Sequence, residues 1–281
     1  MILQKEIEHF LEEDLREDDV SCTLVGNENV RAVIFVKEDC VVSGLEIASA
    51  ILEYMKISYV LKKKPGEKAK AGDVLYELNG DSVSILRVER LVLNFLSHLS
   101  GIAANTRDYV QIAADAAAAA GIHAPKIAAT RKTTPGIRKF EKKAVLDGGG
   151  DPHRQSLSDT VMIKDNHIEI MGLENAFKEA KRQTSFTKKI EIEADTKEQA
   201  VLAAELGADI ILLDNMTPDQ IRDVIALLEQ KNLRNRVILE ASGGIRKENL
   251  KEYAATGANV ISLSAVTNDA DWIDVGLDIV K

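Results

Sequence analysis

The chain has 281 residues, 45% apolar and 4% aromatic, with 36 Lys and Arg against 45 Asp and Glu for a formal net charge of −9. That acidic balance and the scarcity of aromatics exclude a general nucleic-acid surface, which needs a basic stripe or a stacking platform. No apolar run approaches the roughly 20 residues of a membrane span, the start MILQKEIEHFLEEDL is too charged for a secretory signal, and Cys22 and Cys40 show neither disulfide-framework nor zinc spacing, so a cytoplasmic protein with no membrane partner is expected.

Residues 1–15 place Ile2, Ile7, Phe10, Leu11 and Leu15 at helical spacing with acids between them, which predicts an amphipathic helix. Residues 30–42 (VRAVIFVKEDCVV) turn to strand character, 47–55 return to helix and 59–61 to strand. The segment KKKPGEKAKAGDVLYELNGD carries Pro-Gly, Ala-Gly-Asp and Asn-Gly turn signals around a short strand, completing an α+β unit of about ninety residues. Its GDVLYELNG hairpin resembles lipoyl- or biotinyl-carrier folds. No lysine sits at a carrier-type hairpin tip, which weighs against that binding module.

Residues 88–104 have one apolar face, with Arg90 near the start, where a surface ion pair with Glu89 is its plainest role. The helix continues through Val110, Ile112 and an alanine run that Gly121 ends. Beyond it, candidate strands at 126–130, 160–164, 189–194, 209–214, 236–241 and 259–264 alternate with helical patterns such as 196–206 and 218–228. Continuous apolar strands with helical crossovers predict parallel pairing with both faces covered. The fold class is therefore α/β: an incomplete barrel, or else a doubly wound sheet. No GxGxxG follows the first strand, which disfavours a dinucleotide fold.

Within residues 126–167, Arg131, Lys132, Arg138, Lys139, His153, Arg154 and Lys164 gather around two glycine-rich turns. In an acidic chain such a local surplus implies an anionic ligand. RKFEKK at 138–143 reads equally well as a solvated helix, whereas Thr130 to Gly136 sets two cations and two hydroxyls before a Pro-Gly turn, which suits a carboxylate or phosphate. Arg131, Lys132, Lys164, Glu193, Asp214 and Glu240 all fall at or just past the carboxyl ends of predicted strands, where barrel enzymes keep their active sites. Glu193 and Asp214 could hold Mg²⁺, or pair with the barrel's own lysines. Ser242-Gly243-Gly244 precedes a helix expected to begin near Arg246, and offers backbone N–H groups to a phosphate; a tight turn is the plainer alternative.

TRKTTPG at 130–136, GGGDPHR at 148–154, IKDNHI at 163–168 and LEASGG at 239–244 together resemble quinolinate phosphoribosyltransferase, over nearly the whole chain. The resemblance implies an N-terminal α/β sandwich domain at 1–104, rejoined by the tail 268–281, and an incomplete, seven-stranded α/β barrel at 105–267 with the active site. It implies quinolinate and phosphoribosyl pyrophosphate as substrates, Mg²⁺ as cofactor, and nicotinate mononucleotide, pyrophosphate and CO₂ as products, in de novo NAD biosynthesis. By motif, Arg131, His153, Arg154 and Lys164 would surround the two pyridine carboxylates, with Arg90 entering from the partner of a homodimer that shares its active sites; further assembly stays open. Lys132, Glu193 and Asp214 would face ribose, pyrophosphate and metal; Ser242, Gly243, Gly244, Leu263, Ser264 and Ala265 would face the 5′-phosphate; and Thr130 also belongs to the substrate-binding set. Lys132, Lys164, Glu193 and Asp214 form the expected catalytic set.

The pattern is broken at Ala129, where an Asp is common, at Ser264, where a Gly is usual, and at Asn268, where a His is common. Two related activities compete. A molybdenum-transport-associated paralogue shares the TRK and HR motifs without the lysine present here as Lys164, and nicotinate phosphoribosyltransferase shares the barrel but acts on a mono-carboxylate without decarboxylation. A non-catalytic interaction protein is the weakest alternative.

Overall fold

In the computed structural model, which describes residues 2–16 and 19–280, the apolar periodicity of the first fifteen residues becomes α1 (Gln4–Asp14), with Ile7 and Leu11 buried. Met1 and Lys281, at the ends of the predicted domains, and Glu17 and Asp18 lie outside the described residues. β1 (Asn29–Val36), β2 (Cys40–Val41), α2 (Leu45–Tyr54), β3 (Ser58–Leu61), β4 (Lys68–Ala69) and β5 (Val74–Asp81) follow. α3 (Ser82–Ala119) is one continuous helix of 38 residues. It begins at Ser82, ahead of the apolar stretch that predicted it, because Asp81 Oδ2 accepts the Ser84 N–H at 2.9 Å and caps the first turn.

The remaining elements are β6 (Lys126–Ala128), α4 (Arg138–Asp147), β7 (Val161–Ile163), α5 (Asp165–Met171), α6 (Leu173–Gln183), β8 (Ile190–Ala194), α7 (Lys197–Leu206), β9 (Ile210–Asp214), α8 (Pro218–Gln230), β10 (Ile238–Ser242), α9 (Leu250–Ala254), β11 (Val260–Ser262), α10 (Ala265–Asn268) and β12 (Val275–Val280). They fall into two compact units. One comprises the residues up to Arg107, Lys139–Gly149 and those from Ala270 onward; the other comprises Asp108–Arg138 and Gly150–Asp269.

The first unit is built on an antiparallel sheet of order β12-β1-β5-β3. Along β1 the alternation puts Ala32, Ile34 and Val36 on the buried face, with Leu75, Tyr76 and Leu78 of β5 and Ile47, Ile51 and Leu52 of α2 also in the core. Each such aliphatic side chain contributes about 1.5–3 kcal/mol on burial. β12 pairs with β1 from Val275 opposite Val36 to Val280 opposite Arg31. Cys22 and Cys40 are buried and form no disulfide; the Cys22 Sγ–H donates to Asp19 Oδ2 at 2.7 Å, and Cys40 fills space as a small apolar group.

The second unit is a parallel sheet of six strands in the order β6-β11-β10-β9-β8-β7, with the helical crossovers of an α/β fold. Where a seventh strand is expected, Asp151 makes only an isolated bridge to Ala128. Gly148 to Gly150 precede it and Pro152, which has no N–H to donate, follows, so the ladder cannot lengthen. The crossover helices start at capping boxes: Thr196 with Gln199 for α7, and Thr217 with Gln220, behind Pro218 in the first turn, for α8. The helix expected near Arg246 begins instead at Leu250. Asn249 accepts the Arg246 N–H at 2.8 Å and donates to Gly244 O at 3.1 Å, holding this stretch as a turn. Among the described residues no helix is long and apolar enough to cross a membrane.

Candidate active site

Because the strands are parallel, their carboxyl ends deliver side chains to one mouth. Arg131 and Lys132 follow β6, Lys164 follows β7, Glu193 and Asp214 lie at the ends of β8 and β9, and Ser242 and Ser262 end β10 and β11. With Thr130, His153 and Arg154 they line an open cavity of ≈ 410 Å³. A second cavity of ≈ 230 Å³ shares Thr130, Lys132, Ser242 and Ser262 with the first and adds Gly243, Gly244, Leu263, Ser264 and Ala265. The residues predicted for the barrel's site are thus brought together. Arg90 is exposed on α3 in the first unit and is not among the residues lining either cavity.

One wall is cationic. Arg131 is half-buried, and its Nε is buried with no hydrogen-bond partner among the described residues. Arg154 directs Nη2 to the Met162 sulfur at 3.1 Å. His153 takes a left-handed backbone conformation, φ 53, uncommon for a residue with a side chain, and its N–H donates to Asp151 Oδ1 at 2.8 Å. Asp151 in turn donates its N–H to Ile127 O at 2.7 Å and accepts from Ala129 N–H at 2.9 Å. The Asp-Pro-His-Arg turn is thereby tied to β6, which carries the histidine and arginine to the mouth.

The opposite wall is acidic. One carboxylate oxygen from each of Glu193, Asp195 and Asp214 lies within 4.8 Å of the others. Burial raises the carboxyls of Glu193 and Asp214 above their usual range; Lys164 opposes this at Glu193, while at Asp214 the charge of Asp195 adds to it and Lys132 opposes it. Three hard oxygen donors with room for water suit Mg²⁺, which keeps several waters and takes few carboxylates. Asp195 was not among the predicted residues, although an acid immediately past a barrel strand was the available signal.

A second pair of acids lies on β8 and β10, and one of them, Glu240, also lines the larger cavity. Glu240 stands mid-strand in β10 and is 2% exposed, not at the strand's end as predicted, because β10 continues to Ser242. Its Oε2 is 3.2 Å from His153 Nε2. Glu191 is wholly buried, and burial first, then the neighbouring Glu240, pushes its carboxyl up to about 7. The alternation Ile-Glu-Ile-Glu in β8 could have revealed Glu191, since period two sets it on the same face as Glu193.

The smaller cavity has the character of an anion cradle. Gly243 and Gly244 adopt φ +92 and φ +62, and a Cβ at Gly243 would run into the Asn215 side chain. Asn215 is itself fixed by its N–H to Ser242 O at 2.9 Å and its Nδ2 to Asp214 Oδ2 at 2.7 Å. The N–H donors belong to a loop, not to the helix N-terminus predicted there, since α9 starts only at Leu250. Thr267 Oγ1 donates to Ser264 O at 3.0 Å and Lys132 O at 3.2 Å, joining the cradle to the cationic wall. Arg246 also lines it, its Nη1 3.0 Å from Asp269 Oδ2. A cation two residues beyond a Gly-Gly pair was a signal that went unused.

Family models described as quinolinate phosphoribosyl transferase match the chain, the N-terminal domain at residues 19–100 and the C-terminal domain at residues 102–278. "Probable nicotinate-nucleotide pyrophosphorylase (carboxylating)" of Methanothermobacter thermautotrophicus is 44% identical over 276 residues, 97% of either chain. The nicotinate-nucleotide pyrophosphorylase (carboxylating) of Rattus norvegicus is 34% identical over 95% of this chain and 88% of its own. The structure of the nicotinate-nucleotide pyrophosphorylase from Francisella tularensis superposes with a TM-score of 0.90 at 30% identity, covering 99% of this chain and 98% of that one.

Proposed function

The chain belongs to the quinolinate phosphoribosyltransferase family, and on that premise we infer how its residues transfer phosphoribose to quinolinate with decarboxylation. The reaction consumes phosphoribosyl pyrophosphate and yields nicotinate mononucleotide, pyrophosphate and CO₂, in NAD biosynthesis. The observation that carries the assignment of residues is the division of one cavity into a cationic wall and an acidic wall, with a glycine and hydroxyl cradle beside them.

Arg131, His153, Arg154 and Lys164 hold the two pyridine carboxylates. The ring nitrogen is itself the nucleophile and carries no proton, so these residues chiefly align it with the anomeric carbon of the ribose. Lys132 meets the negative charge that develops on the departing pyrophosphate. Mg²⁺, held by Glu193 and Asp214 with Asp195 in reach, would supply further charge neutralisation there. Ser242, Gly243, Gly244 and the Leu263-Ser264-Ala265 turn bind the 5′-phosphate, and Thr130 lies where the two substrates meet. Once the nitrogen is alkylated, the C2–carboxylate bond breaks, its electron pair stays at C2 stabilised by the adjacent positive nitrogen, and a proton from water joins C2 in place of CO₂. His153 accordingly serves as a positioning donor and not as a general base.

Arg90 completes each site from the partner of a homodimer. Two buried cysteines outside any disulfide fit a reducing cytoplasm. Incubation with quinolinate, phosphoribosyl pyrophosphate and Mg²⁺, following CO₂ and nucleotide together, tests the activity: equal yields are expected. Turnover of nicotinate with quinolinate inert would transfer the chain to the mono-carboxylate reaction.

A further inference from the structure

Glu240 is 2% exposed and Glu191 wholly buried; both carboxylate oxygens of Glu191 and Oε1 of Glu240 have no hydrogen-bond partner among the described residues. A buried carboxylate left unpaired is costly unless a cation compensates it. The pair sits in one layer of the barrel, on the alternate strands β8 and β10, and ligand atoms of His153, Glu191 and Glu240 lie within 4.8 Å of one another. Arg154, and His153 when it is protonated, also favour the ionised form of Glu191. Glu240, in contact with the imidazole, is therefore the counter-charge behind the cationic wall, while burial holds Glu191 back from ionising.

His153 needs such support. Its backbone is held in a left-handed turn by its own N–H, so the direction of the imidazole rests on what the ring touches, and there Glu240 Oε2 meets Nε2 at 3.2 Å. A carboxylate behind an imidazole keeps the proton on the facing nitrogen, fixes the ring plane and favours the positive ring when an anion approaches from the other side. We propose that Glu240 is a positioning residue for quinolinate binding: it accepts the His153 Nε2–H and presents the ring to a substrate carboxylate. This rests on the assignment of His153 to the quinolinate carboxylates. Glu240 lines the larger cavity but is only 2% exposed, with Oε2 turned to His153 Nε2, so it acts through the histidine.

The test is a double-mutant cycle on the full-length protein, reading quinolinate affinity by equilibrium titration and the KM of phosphoribosyl pyrophosphate by initial rates. Glu240→Gln, which keeps volume and loses charge, is expected to weaken quinolinate binding about 10- to 100-fold, in the range that loss of a carboxylate behind a ligating histidine produces, and to change the KM of phosphoribosyl pyrophosphate less than about twofold. In a His153→Ala background the same substitution is expected to add less than about twofold, because the group it acts through is gone. Full additivity of the two losses, or equal damage to both substrates, overturns the proposal. If wild-type protein fails to bind quinolinate at all, the fault lies with the function assigned above and not with Glu240.

Should Glu240→Gln not fold, nitrogen spectra of the wild-type histidines decide, with His153 assigned by its absence in His153→Ala. A protonated Nε2 is expected. A bare Nε2 with the proton on Nδ1 overturns the proposal.

Discussion

Lys164 Nζ stands 4.0 Å from Glu193 Oε2, so the cation assigned to quinolinate borders the acid assigned to metal. The two walls meet at this pair, while Asp214 faces Lys132.

The contact sets different expectations for the two acids. Asp214→Asn should raise the Mg²⁺ concentration for half-maximal rate by about tenfold or more and leave quinolinate affinity alone. Glu193→Gln should do the same to the metal requirement, but it also frees Lys164. A 4.0 Å pair with a half-exposed lysine is worth about 1 kcal/mol, so quinolinate affinity should move by about fivefold. Titrations of both ligands on each variant check this. A metal requirement that stays put while quinolinate binding collapses would mean the walls are assigned the wrong way round.

Arg131→Ala and Arg154→Ala each leave a substrate carboxylate without its partner. Removing one member of a buried charge pair costs about 3–5 kcal/mol, so kcat/KM for quinolinate should fall roughly 10²- to 10⁴-fold with the thermal midpoint little changed. Steady-state kinetics beside a melting curve separate the two effects, and wild-type rates in either variant would remove that arginine from the site.

The barrel strands could be read from the chain because β8, β9 and β10 are almost continuously buried runs, and Glu193 and Asp214 mark the carboxyl ends of β8 and β9. The cations were legible for the converse reason, as a local excess in an acidic chain. What stayed hidden depends on contacts far apart in sequence. Glu240 looked like another mouth residue because nothing local says that β10 continues to Ser242, or that His153, 87 residues away, bends over it. The false helix start at Arg246 came from a turn that Asn249 closes with its side chain, while Asn268 and Asp269 on the cradle's rim gave no local signal of each other's neighbours.

Mixed dimers test the contribution of Arg90. Homodimers of Arg90→Ala and of Arg131→Ala should both be nearly inactive. In a mixed dimer one site keeps Arg131 and receives an intact Arg90, while the other lacks both. Random mixing at equal ratio makes half the dimers mixed, so about a quarter of wild-type activity should return. Native mass spectrometry establishes that subunits have exchanged. No recovery after proven exchange would mean Arg90 serves its own chain or no site.

The Glu191 carboxyl, pushed up from 4.5 to about 7, sets a pH dependence of stability. Its folded pKa is the higher one, so its contribution is complete below about pH 4.5 and is lost as the pH rises through about 7; the loss is at most about 3 kcal/mol. Glu191→Gln cannot ionise. In metal-free protein its stability relative to wild type should therefore climb between about pH 4.5 and about pH 8, read from urea unfolding midpoints. A difference that is the same at both ends contradicts a buried, reluctantly charged Glu191.

The order β12-β1-β5-β3 means that one neighbour of β1 is synthesised long after the other. After β5 has emerged from the ribosome, roughly 190 further residues precede β12, which at about 5–20 residues per second is on the order of 10–40 s. Throughout that interval the nascent chain carries Arg31 to Val36 as an open strand edge, a template for pairing with another chain. Folding yield should therefore depend on translation speed and on chaperones that shield this edge, a vulnerability of the growing chain that the finished protein no longer shows.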